Sequence, residues 1–104
     1  MNLDLQQKIT RIIVNSGSAK NAAMEAIQLA KTGDFKAAQD KLDEANQARI
    51  EAHHVQTEML TIEAQGEEIE VNLLLIHSQD HLMTTITFIE LARELIELHI
   101  KIYE

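Results

Sequence analysis

Apolar residues recur along this chain at helical spacing, three and four apart, rather than in the alternation of strands. One periodic run ends at Lys31 and is followed by "KTGDF". Gly33 there suits the left-handed residue that closes a helix, and Asp34 suits the cap that opens the next. A second run ends before "EAQGEE", where Gly66 offers the same stop and Glu67 and Glu68 suit a helix N-terminus. The pattern predicts helices near 3–31, 35–64 and 67–102, each about 45–50 Å long at 1.5 Å per residue. Tight connections make neighbours antiparallel, so residues 1–104 read as one all-α domain, an up-down-up antiparallel three-helix bundle. Gly17, in "NSGSAK", falls inside the first helix; with Ser16, Ser18 and Ala19 beside it, close helix packing is the expected reason.

The second helix is the polar one. Between residues 39 and 58 its large apolar side chains are few, chiefly Leu42, Ile50 and Val55, with alanines filling in. It reads as an outer helix with one narrow buried stripe. His53 and His54 are sequence neighbours, so they point in different directions and are expected at or near the surface.

The third helix has two apolar faces. With Asp80 set at zero and about 100° per residue, Ile69, Leu73, Ile76, His77, Met83, Thr84, Thr87, Leu91, Glu94, Leu95 and Leu98 fall within about 60°. Val71, Leu74, Leu75, Ser78, Leu82, Ile86, Ile89, Ala92, Ile96 and Ile100 lie opposite, and Asn72, Gln79, Glu90 and Glu97 form a narrow polar edge. Two partner helices cover one face; the second face calls for another copy of the chain. An oligomer with this helix at its centre is expected.

Composition narrows the class. Apolar residues make up 45% and charged residues 25%, which is globular, and 3% aromatics leave an aliphatic core. No proline or tryptophan occurs, and the lack of cysteine removes disulfides and thiol chemistry. A net charge of −8 argues against a nucleic-acid footprint and against anionic membrane surfaces, and favours basic partners. Apolar runs are too short to insert in a membrane. The start, "MNLDLQQKITRII", lacks the basic opening and apolar stretch of a signal peptide, so the cytoplasm is the expected compartment.

The chemistry concentrates in "LLLIHSQDHLMTT", residues 73–85. If the Asp80 face is an oligomer axis, symmetry gathers its carboxylates. At about 5 Å each pair would repel by roughly 3 kcal/mol at an effective dielectric of 20. Such a cluster takes up protons or binds a hard divalent cation such as Mg²⁺; the alternative is an Asp bonded locally. His77 lies on the shoulder of that face, with His81 and Thr84 on successive turns. Three readings fit this row: phosphoryl transfer through a histidine, with neighbours donating to phosphoryl oxygens; a zinc peptidase akin to H-x-x-E-H, which lacks a third ligand and a cleft; or a non-catalytic oligomeric bundle with packed or metal-binding histidines.

The stretch "LLLIHSQDHLMTTITFIELARELIELH" resembles the signature of lactose/cellobiose-type enzyme IIA of the bacterial phosphoenolpyruvate-dependent sugar phosphotransferase system, which also takes in the N,N'-diacetylchitobiose type. The "TGDF" turn with Ala37 and Ala38, and "NSGSAK" around Gly17, resemble it too, and the likeness covers essentially the whole chain. Ser78 departs from the family's usual Ala but lies away from the His77 face. The resemblance implies a cytoplasmic phosphocarrier. It would accept phosphoryl from phospho-HPr on His77 and pass it to a cysteine of the cognate IIB, and so indirectly to the membrane component IIC and a β-linked disaccharide. It further implies a homotrimeric nine-helix bundle in which Asp80 from each subunit meets at the axis around a divalent cation. Gln79, His81 and Thr84 match residues near the active site, His81 and Thr84 as candidate donors to the phosphoryl group. The resemblance does not name the sugar, which the membrane component contacts.

Overall fold

The computed structural model describes residues 2–104 as three helices: α1 (Leu3–Lys31), α2 (Phe35–Ala64) and α3 (Leu73–Tyr103). They run up, down and up, so α1 and α3 are parallel and α2 is antiparallel to both. The bundle is a rod of 54 × 20 × 19 Å.

The two turns use the same device. At the end of α1, Gly33 takes φ +84°. Its N–H bonds the Ala30 carbonyl, and the Asp34 N–H bonds the Leu29 carbonyl. At the end of α2, Gly66 takes φ +93°. The Gly66 and Glu67 N–H groups bond the carbonyls of Glu63 and Ile62. Both are paired closures that satisfy the last carbonyls of a helix. Asp34 caps α2 as expected, its carboxylate accepting from the Ala37 N–H. The ring of Tyr103 sits over Gly33 and meets Phe35 edge-on, 5.2 Å between centroids.

The first two helices match their expected bounds. The third starts six residues later than expected. Residues 67–72 are irregular, and the cap is Asn72, whose Oδ1 accepts from the Leu75 N–H at 2.9 Å. The glutamates after Gly66 mark a connection and not a first turn. The helical angles assigned to Ile69 and Val71 therefore do not apply: Ile69 packs on the core from the connection and Val71 is exposed.

The core forms two blocks. One joins Ile9 and Ile12 to Ala52, Val55, Met59 and Leu82. The other joins the α1 alanines, Ile27, Leu42, Ala45, Ile89 and Ile96. Between them lies a polar rung, with buried Ser16 and Thr85 facing each other; Thr85 Oγ1 donates weakly to the Ser16 carbonyl at 3.5 Å. Ser16 Oγ has no hydrogen-bond partner among the described residues. α2 buries one narrow stripe as expected, Ala38, Leu42, Ala45, Ala52, Val55 and Met59, but Ile50 lies off it and is exposed. His53 and His54 are exposed.

α1 and α2 cover only one side of α3. Ser78, Leu82, Thr85, Ile89, Ala92 and Ile96 are buried. On the other side Leu73 is 81% exposed, Leu91 57% and Ile102 69%, with Ile76, Met83, Leu95 and Leu98 also uncovered. Within one chain the second apolar face has no partner. Among the described residues no helix is long and apolar enough to cross a membrane.

Candidate functional site

Asn72 fixes where α3 begins. With that start, His77 comes in the second turn on exposed surface, and His81 follows one turn later, half-buried against α1. Their rings are parallel, 5.8 Å between centroids and 4° between planes. The i, i+4 spacing accounts for the pairing.

His81 rests beside Gly17 of α1. A Cβ placed on Gly17 would stand 3.7 Å from His81 Nε2. α1 is continuous through Gly17, as expected, but a Cβ would fit there in ordinary contact, so close helix packing does not explain the glycine; the contact brings together two motifs 64 residues apart. Further along the same groove, the Lys20 ammonium lies 5.9 Å from the centre of the Phe88 ring. The sequence carried no signal for that contact.

Thr84 continues the row beyond His81. Its hydroxyl donates back to the carbonyls of Asp80 and His81, at 3.0 and 3.2 Å. The hydroxyl proton is therefore already engaged, and donating outward requires its rotation.

Asp80 projects on the uncovered face of α3 and is exposed. Its carboxylate makes no hydrogen bond or ion pair among the described residues. Among those residues no three His, Asp or Glu side chains converge where one chain could hold a metal ion. One free carboxylate per chain suits an oxygen-ligated cation only if other copies supply more.

Gln79 turns the other way, toward α2. Gln56 Nε2 donates to its Oε1 at 2.7 Å, and its own Nε2 donates to Ser78 Oγ at 3.2 Å. It lines a cavity of about 120 Å³ with Met59, Ile69 and Leu75. Ser78 is buried and bonds the Leu75 carbonyl, away from the histidine pair as expected. Of the five residues singled out in the sequence, the structure thus groups His77, His81 and Thr84 along one strip, sets Asp80 on the open apolar face and points Gln79 into the α2–α3 groove. Gln56, the partner of Gln79, was not legible from spacing.

The chain has close relatives. Residues 7–100 match the family "PTS system, Lactose/Cellobiose specific IIA subunit". The lichenan-specific phosphotransferase enzyme IIA component of Bacillus subtilis is 46% identical over 104 residues, all of this chain and 94% of the relative. The cellobiose-specific EIIA component of Lactococcus lactis is 48% identical over 93 residues, 89% of this chain and 80% of the relative. A crystal structure of a cellobiose-specific enzyme IIA from Bacillus anthracis superposes with TM-score 0.95 at 47% identity, covering 99% and 94% of the two chains. The IIA(chitobiose) structure from the Escherichia coli IIA–HPr complex gives TM-score 0.84 at 42% identity, covering 96% and 97%. The chain belongs to the lactose/cellobiose-specific IIA family and is a phosphocarrier component of a sugar phosphotransferase system.

Proposed function

We propose that His77 is the residue that carries the phosphoryl group, in the cytoplasm, from phospho-HPr to the cognate IIB. The supporting observation is its place: the exposed imidazole of a stacked pair, on the stretch of α3 that bears the family signature. A ring nitrogen of neutral His77 attacks the phosphorus. A P–N bond forms while the donor's bond breaks, and the donor keeps the electron pair. In the second transfer a IIB thiolate attacks, a P–S bond forms and the electron pair returns to His77. Imidazole serves both steps because it is a nucleophile and a leaving group. An open surface suits a site that two proteins reach in turn. Relatives carry names for lichenan, cellobiose, galactose, diacetylchitobiose and lactose. All of these but galactose are β-linked saccharides, which supports a β-linked disaccharide as the transported class.

The working form is a homotrimer, a nine-helix bundle closed along the bare face of α3. The uncovered Leu73, Ile76, Leu91, Leu95, Leu98 and Ile102 support this, since a face of this size on a lone chain favours association. Asp80, unpartnered on that face, would meet its copies and hold a divalent cation, with Mg²⁺ the hard ion that carboxylate oxygens suit. That cation would neutralise the carboxylates and take no part in the transfer. IIC is reached only through IIB. To test the phosphocarrier reading, labelled protein is isolated and mixed with cognate IIB. The label should pass to a IIB cysteine; label that stays put would contradict the reading.

A further inference from the structure

Gly17 sits in the middle of α1, where neither backbone nor packing requires glycine. Its φ is not positive; only Gly33 and Gly66 have that. A methyl group added there would stand 3.7 Å from His81 Nε2, an ordinary contact with no clash. Alanine would fit, and inside a helix alanine is the more stable residue. What the glycine leaves is bare backbone directly beside Nε2 of the half-buried imidazole that stacks on His77. One turn earlier on α1 stands Ile13, and one turn later Lys20, so the gap is local to residue 17. Glycine at such a point commonly serves the close approach of a ligand.

We infer that Gly17 is a positioning residue that keeps the space beside His81 Nε2 open for the oxygens of a phosphoryl group on His77. The inference rests on His77 being the phosphoryl carrier. With the space open, Nε2 can donate to a phosphoryl oxygen as charge moves between donor, His77 and acceptor. A methyl there would cover Nε2 with an apolar surface, leaving the fold intact and the donor blocked.

The experiment is Gly17→Ala, measured three ways. Its unfolding midpoint should rise by roughly 4 °C, because a helix interior gains an alanine. Labelling by phospho-HPr should slow by about tenfold or more, the worth of one hydrogen bond to a charged group. In imidazole ¹⁵N spectra, the His81 Nε2 resonance should move on phosphorylation of the natural chain and stay unmoved in the variant. Labelling at the natural rate would overturn the inference. So would a lowered midpoint with slowed labelling, which would mean that Gly17 serves helix packing. If the natural chain itself takes no label, the reading of His77 fails and this inference falls with it.

Discussion

The rings of His77 and His81 lie parallel, 5.8 Å between centroids, and His81 lies beside Gly17 of α1. The two imidazoles therefore have different surroundings: His77 faces outward and His81 is steadied by the bundle. Replacing His81 by Ala removes a donor and leaves His77 on open surface. The expected result is slower acceptance of phosphoryl, by about tenfold to a hundredfold, with His77 still labelled. Rapid-quench measurement of label transfer from phospho-HPr checks this.

Thr84 should matter less. Its hydroxyl already bonds the Asp80 and His81 carbonyls, and turning it outward forfeits those bonds. Thr84→Val should slow the same transfer by no more than about threefold, within the range of one neutral hydrogen bond. A loss equal to that of His81→Ala would mean that Thr84 rotates and donates during the reaction.

The helix bounds at the Gly33 and Gly66 turns were legible because glycine, caps and apolar period agree there. The start of α3 was not. Glu67 and Glu68 suit a first turn, and helical spacing puts Asn72 on the polar edge. The Leu75 N–H donating to Asn72 Oδ1 makes Asn72 the cap instead. The open second face of α3 was legible, since period 3.6 places Leu73, Leu91 and Leu98 with Asp80. The Gly17–His81 contact and the Gln56–Gln79 bond were not, because helix register across a bundle depends on packing between segments far apart in sequence.

The turns give a stability comparison. Gly33→Ala places a Cβ 3.0 Å from Tyr103 Cε1 at φ +84°; Gly66→Ala has nothing within 4 Å at φ +93°. The left-handed backbone costs each about 1–2 kcal/mol. Gly33→Ala should lose more, because the Tyr103 ring must also move off Phe35. Urea unfolding of both variants measures the difference.

Ser16→Ala should go the other way. Its hydroxyl is fully buried with no partner among the described residues, and its loss should stabilise the chain by up to about 1 kcal/mol. Thermal unfolding reads this directly, and a lowered midpoint would show that the hydroxyl is bonded in solution.

The bare face of α3 fixes the expectation for assembly. Sedimentation should give about three times the 11.8 kDa chain mass, and Asp80→Leu should keep that mass while binding no metal. Replacing the gathered carboxylates by leucine should stabilise the assembly by on the order of 1 kcal/mol per chain. A monomer at micromolar concentration would contradict the trimer.

The most direct measurement is of the phosphoryl group itself. The chain is incubated with phosphoenolpyruvate, enzyme I and HPr, and the label is located by peptide mapping. The expected result is an acid-labile, base-stable label on the peptide bearing His77, absent from His77→Ala and present in His81→Ala. Label that persists in His77→Ala, or that maps to His81, would contradict the account.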